Sequence, residues 1–170
     1  MPLSQPEQLR QFFDRLGQRH PQPAALYLFG GSAVLWLGGP RPTLDIDFTL
    51  TRGDPALRQN IAAVAAELGL DLEESAPAEF MPLPAGHEKR HRFLGQFGSV
   101  AVYLFDPYSI AVMKIDRAFD SDMEDVRFLL AAGEIDLAAL AQLIDDVAGR
   151  YDEPIKLRRN FAELQKALGS

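Results

Sequence analysis

Two short runs hold the residues whose types and spacing suit chemistry: Gly30-Gly31-Ser32-Ala33, and Arg41-Pro42-Thr43-Leu44-Asp45-Ile46-Asp47. Asp45 and Asp47 stand two apart in a strand-like stretch, so both project from one face, about 7 Å apart at the backbone. Aspartate is depleted in strands, and like charges on one face repel. A divalent cation removes that repulsion. Magnesium (or manganese) takes oxygen ligands and is held by one or two carboxylates, with phosphates and water completing its shell. Bound there, it polarises a phosphoryl group under attack. Gly30 and Gly31 permit positive φ and close approach of a ligand. The helix start after them offers N–H groups to a phosphate. Ser32 adds a hydroxyl donor, and Arg41 a guanidinium fork for phosphate oxygens. Each part also has a plain reading: a tight strand-to-helix turn, and an exposed strand face. The combination is more specific than either part.

A second group lies in the apolar helix predicted at 107–119, PYSIAVMKIDRAF. Lys114 has Ile110, Ala111, Met113, Ile115 and Ala118 as helical neighbours, and lysine is seldom buried without a partner. Two readings stand. Either the ammonium snorkels to the surface along an apolar wall, or it faces the active cleft, neutralising phosphates or pairing with Asp45 or Asp47. Beyond it, Ser121 and Glu124 have capping-box spacing. Asp122 falls in line with Val126 and Leu129 and so prolongs an inward-facing stripe; Asp125 neighbours it.

The elements that must position these residues follow from periodicity and punctuation. Leu9, Phe12, Phe13 and Leu16 predict a helix over 6–19. Strands are expected at 25–29, 44–50 and 99–105, with a short helix at 32–37 between the first two. Asp54-Pro55 opens a helix that Gly69 stops. Residues 70–98, broken by Pro77, Pro82, Pro84 and Gly86, leave room for one or two short strands. Asp106-Pro107 opens a helical remainder, with helices near 122–132, 136–148 and 154–167. The layout is α+β: a small mixed sheet with flanking helices over 1–106 and a C-terminal helical region over 107–170, expected to pack as one unit. With 170 residues, 47% of them hydrophobic, the chain can bury a core. No cysteine is present, which excludes disulfides and thiolate metal sites. The polar amphipathic N-terminus has no apolar leader segment, and no apolar stretch approaches a membrane span, so a cytoplasmic protein is expected. The net charge of −7 argues against broad, sequence-independent nucleic-acid binding. It leaves room for a local basic contact, for which His87-Glu88-Lys89-Arg90-His91-Arg92 is the densest candidate and Lys156, Arg158 and Arg159 the second.

The glycine run followed by Asp-hydrophobic-Asp resembles the nucleotidyltransferase superfamily of polymerase-β-like fold. The form Gly30-Gly31-Ser32-Ala33 with Arg41-Pro42-Thr43-Leu44-Asp45-Ile46-Asp47 is most similar to a bacterial branch that includes AbiE-type and MenT-type toxin nucleotidyltransferases. Lys114, Arg117, Asp122 and Asp125 match a further run of that branch. The resemblance implies magnesium-dependent transfer of a nucleoside monophosphate from a nucleoside triphosphate to a hydroxyl acceptor such as RNA, a tRNA end, a protein or a small molecule. It implies that Gly30, Gly31, Ser32, Arg41 and Lys114 bind the nucleotide, that Asp45 and Asp47 hold the metal, and that Asp122 helps complete the acidic site. An antitoxin protein is an implied partner. Many superfamily members carry a third metal-binding carboxylate in a later strand. The strand at 99–105 offers none, and Asp106 before Pro107 reads as a helix cap. Either Asp122 substitutes or the site has two carboxylates. The alternative is a degenerate member that binds nucleotide or a protein partner without turnover.

Overall fold

A computed structural model describes residues 2–169 of the chain. Helix α1 (Pro6–Arg19) buries Leu9, Phe12, Phe13 and Leu16 along one stripe, with Pro6 in the first turn, where its missing N–H is not needed. Strand β1 (Ala24–Leu28) passes through Phe29 into α2 (Gly30–Trp36), and a loop leads to β2 (Asp45–Thr49). The Asp54 side chain accepts the Leu57 N–H to start α3 (Pro55–Leu68), and Gly69, in the left-handed region, ends it. The broken stretch after it holds β3 (Asp71–Glu74), the short α4 (Pro77–Phe80) and a 3-10 turn at His87–Arg90. The hairpin β4 (Arg92–Phe97) and β5 (Val100–Leu104) follows. Helices α5 (Pro107–Arg117), α6 (Asp120–Ala131), α7 (Leu137–Ala148) and α8 (Pro154–Leu168) complete the chain. The α+β class expected from the layout is the class observed. No helix among the described residues is long and apolar enough to cross a membrane.

The chain groups into two compact units: the residues up to Ala76 with Arg92–Phe105, and Pro77–His91 with Asp106 onward. The first unit carries a five-stranded mixed sheet in the order β3-β2-β1-β5-β4. β1 pairs antiparallel with β2 and parallel with β5; β2 pairs parallel with β3, and β4 antiparallel with β5. Alternation along the strands divides the two faces. Leu26, Leu28, Ile46, Phe48, Val100, Val102 and Leu104 are buried on one face. Tyr27, Asp45, Asp47 and Tyr103 project from the other and are only partly covered.

Helix α1 meets the β4–β5 turn at backbone distance. A Cβ on Gly17 would stand 2.2 Å from the carbonyl oxygen of Phe97, and one on Gly98 would stand 2.5 Å from that of Gly17. Gly17→Ala is therefore expected to cost on the order of 2–3 kcal/mol, since backbone on both sides must move. Urea denaturation followed through Trp36 fluorescence measures it; an unchanged midpoint would refute the contact.

In the second unit α5 is the central helix, with Ile110, Ala111, Val112 and Ile115 buried. Helices α6, α7 and α8 contribute Val126, Leu129, Leu140, Ile144, Leu157 and Phe161 to the same core. Asn160 on α8 donates to the carbonyls of Ile115 (3.0 Å) and Asp116 (3.1 Å) at the end of α5.

Candidate functional site

The glycine turn and β2 are built as one piece. The Phe29 N–H donates to the Asp47 carbonyl at 3.0 Å, and the Gly31 N–H donates to the Asp47 carboxylate at 2.9 Å. Gly30 takes φ +53, and a Cβ there would sit 2.6 Å from Asp47 Oδ2. The turn needs glycine because the carboxylate occupies the space a side chain would fill. Ser32 is fully buried. Its hydroxyl accepts the Asp47 N–H at 3.0 Å and lies 2.8 and 3.0 Å from the carbonyl oxygens of Asp47 and Phe29, one of which takes its proton. This hydroxyl staples β2 to α2. Arg41 lies on the loop before β2, its Nη1 3.4 Å from the Pro42 carbonyl. That loop is tied down in turn by the antiparallel bridge between Leu3 and Thr43.

The β2–β3 register sets Asp45 opposite Asp71 and Asp47 opposite Glu73. Paired residues share a face, so Asp45, Asp47 and Glu73 converge, each with a carboxylate oxygen within 4.8 Å of the others. A third carboxylate able to share an ion with Asp45 and Asp47 thus lies on β3 rather than on β5. The sequence signal for it is Asp71-Leu72-Glu73, an acid–apolar–acid echo of Asp45-Ile46-Asp47 that starts two residues after the helix-stopping Gly69. Burial and the Glu73 charge push Asp47 up to about 7, against the opposing pull of the Gly31 and Ser32 N–H groups. Asp45 is raised too, by burial first and then by Glu73 and Asp71. An all-oxygen donor set of three acids within 4.8 Å of one another, with Glu73 raising both aspartates, fits a hard divalent cation. Glu73→Gln is expected to weaken Mn²⁺ binding at least about tenfold by calorimetry, since ligand-sphere changes act on that scale. Unaltered affinity would remove Glu73 from the site.

Lys114 and Asp122 come together in the second unit. Lys114 is 5% exposed, so the ammonium does not snorkel. It pairs with Asp125 at 2.8 Å and Asp122 at 3.6 Å, where the sequence suggests Asp45 or Asp47. Arg117 Nε and Nη2 grip Asp122 at 2.8 and 2.6 Å. The start of α6 also corrects an expectation. The capping box at Ser121 and Glu124 does not form; α6 begins after Phe119, whose N–H donates to Asp122 Oδ2 at 3.1 Å. Asp122 is held below the ordinary carboxylate range because the Arg117 and Lys114 charges and the Phe119 N–H outweigh its burial. Lys114, Asp122 and Asp125 are therefore a buried ionic cluster, which the largely exposed Arg117 completes from the surface.

The basic run at 87–92 is partly internal. Arg90 forks onto Asp106 with two bonds of 2.9 Å, and Asp106 caps α5 by accepting from Tyr108 and Ser109. His91 Nδ1 accepts the Asp106 N–H at 3.0 Å. Burial, then the neighbouring His87, lowers its pKa, which suits an acceptor. Lys89 is left exposed.

The glycine turn is clamped on Asp47, and Asp45 on the same strand and Glu73 on the neighbouring one bring two more carboxylates within 4.8 Å, an oxygen-donor set that could hold a metal ion. No curated protein and no solved structure matches the chain. Residues 7–167 match the model of DUF6036, described as a nucleotidyltransferase of unknown function. The chain belongs to this nucleotidyltransferase family.

Proposed function

We propose that the chain transfers a nucleoside monophosphate from a nucleoside triphosphate to a hydroxyl acceptor, with Asp45, Asp47 and Glu73 holding magnesium or manganese. The convergence of these three carboxylates beside the glycine turn carries the reading. A divalent cation held there supplies Lewis-acid polarisation of the phosphoryl group and offsets charge on the leaving oxygens. The backbone at Gly30, Gly31 and Ser32 cradles the phosphates, and Arg41 pairs with their oxygens. Lys114 contacts the nucleotide and Asp122 supports the acidic site, as the resemblance of their motif implies. The acceptor oxygen bonds to the α-phosphorus as the bond to the bridging oxygen breaks. Pyrophosphate leaves, and the hydroxyl proton passes to a carboxylate of the cluster.

The likeness to AbiE-type and MenT-type enzymes supports a cytoplasmic, bacterial setting in which the chain is the toxin of a toxin–antitoxin pair, with RNA or tRNA as acceptor. The rival, a binding module without turnover, draws its support from the lack of an acid in β5; Glu73 on β3, beside Asp45 and Asp47, supports turnover instead. The experiment is transfer of α-labelled nucleoside triphosphates with Mg²⁺ by the purified parent and by the Asp45→Ala, Asp47→Ala double variant. Label transfer in the parent alone is expected; parental rates in the double variant would overturn the assignment. Mg²⁺-dependent binding of a triphosphate without pyrophosphate release would favour the module.

A further inference from the structure

The last rung between β1 and β2 runs through a side chain. One residue past the Leu28–Phe48 pair, Phe29 and Asp47 face each other. Residues opposed in an antiparallel hydrogen-bonded pair exchange two N–H···O bonds. One of the two is made directly, from the Phe29 N–H to the Asp47 carbonyl at 3.0 Å. The other is interrupted by a hydroxyl. The Asp47 N–H donates to Ser32 Oγ at 3.0 Å, and the Phe29 carbonyl lies 3.0 Å beyond that oxygen. Ser32 is fully buried, with the Asp47 carbonyl 2.8 Å from the same Oγ. A serine hydroxyl has one proton, and here a main-chain carbonyl takes it. The surroundings are tight: a Cβ on Gly30 would stand 2.6 Å from Asp47 Oδ2, and one on Gly31 would stand 2.7 Å from Thr43 Oγ1.

We propose that Ser32 is a positioning residue for Asp47, which it sets through the hydroxyl inserted between the two strands, and that this hydroxyl does not serve the phosphates. The proposal rests on the reading of Asp45, Asp47 and Glu73 as metal ligands. The Asp47 carboxylate takes the Gly31 N–H at 2.9 Å and lies in register with Glu73 across β2 and β3. Where it stands between them follows from where its own backbone stands. Without the hydroxyl, the Asp47 N–H is left short of its acceptor, or β2 draws toward Phe29 to restore the direct bond. Either change loosens or displaces the carboxylate relative to the other two acids, and the crowded glycine turn has no room to follow. A bond that only held α2 to β2 would affect folding alone. Positioning acts on the ion as well.

The test is Mn²⁺ calorimetry on the full chain without triphosphate. Ser32→Ala is expected to weaken Mn²⁺ binding about tenfold or more, the scale on which groups behind a metal ligand act. Ser32→Thr, which keeps the hydroxyl, should stay within about threefold of the parent. Gly17→Ala, which strains the same unit away from the acids, should leave Mn²⁺ affinity within about twofold of the parent while lowering stability. Parental affinity in Ser32→Ala, or equal losses in Ser32→Ala and Ser32→Thr, would overturn the role. So would a loss of triphosphate affinity at saturating Mn²⁺ with Mn²⁺ affinity intact, which would give the hydroxyl to the phosphates. If Ser32→Ala does not fold, amide exchange in the metal-free parent decides. The Asp47 amide should be protected like that of Val102, and fast exchange would overturn the inserted bond. A parent that binds no Mn²⁺ would overturn the metal site of the function proposed above. A parent that binds it, with Ser32→Ala unaffected, would overturn the role of Ser32 alone.

Discussion

Asp47→Asn is expected to abolish nucleotidyl transfer, by on the order of 10³-fold, while making the metal-free protein more stable at pH 8. The first effect follows from losing a charged ligand where phosphoryl charge must be offset. The second follows from the carboxyl's folded-state pKa of about 7 against an ordinary 3.8. A group raised on folding contributes stability below its unfolded value, and that contribution disappears as pH climbs through the folded value. The parent should therefore lose stability relative to the variant between about pH 4 and pH 7, and should sit roughly 2 kcal/mol below it at pH 8. For a chain of this size that is a melting-temperature difference of about 4–8 °C. Asparagine keeps an oxygen for the Gly31 N–H, so the glycine turn is preserved. Adding Mn²⁺ at pH 8 should raise the parent's melting point and leave the variant's where it was. Scanning calorimetry across pH, with and without metal, reads all of this. Parallel pH curves for the two proteins would refute the crowding of charge around Asp47.

Lys114→Met carries the largest expected loss of stability. It leaves Asp125 without the ammonium at 2.8 Å and removes one of the two cations that face Asp122. Both carboxylates are almost completely buried. Removing one partner of a buried pair costs about 3–5 kcal/mol, because the other charge keeps its desolvation penalty without the attraction. Replacing both partners with apolar groups of similar volume can be nearly neutral, so Lys114→Met with Asp125→Leu should recover much of the loss. Chemical denaturation of the three proteins measures this cycle. A single variant that costs under about 1 kcal/mol would mean the cluster is loosely held. The double variant also tests the role proposed for Lys114: if it folds and still transfers nucleotide at the parental rate, the lysine is structural.

Helix limits were legible wherever backbone chemistry is local. Asp54-Pro55 and Gly69 bracket α3, and Asp106-Pro107 opens α5, because a capping carboxylate, a fixed proline φ and a left-handed glycine act within a few residues. The start of α6 was misplaced because it is decided by a contact outside the local pattern. Asp122 is drawn to Arg117 and Lys114, and its position makes Phe119 the first residue whose N–H it can take. Asp45 and Asp47 stood out in the sequence because two charges in a strand need a reason, and their shared, partly covered face is the one observed. Glu73 did not, because β3 has one apolar residue, Leu72, and too little alternation to declare itself. Its strand character comes from pairing with β2, and its place beside Asp47 is a matter of register between segments. Lys114 was recognised as unusual from its neighbours, but the identity of its counter-ions depended on how α5 and α6 turn toward one another at Ala118, the only non-glycine residue with positive φ among those described.

The border position of β3 bears on how the protein would respond to its ionic surroundings. Two of the acids are bolted into the second strand of the sheet, while the third rides on a four-residue outer strip with a neighbour on one side only. A bound ion would act as a rivet between interior and rim, and mutual repulsion would pry the rim away when the rivet is gone. Scarcity of divalent ions would then loosen the rim before it unfolded the remainder. Amide hydrogen exchange at Ser75, whose N–H donates to the Phe48 carbonyl, and at Glu73, two residues before it on the same side, would register that loosening while the amides of Val102 and Leu104 stayed protected.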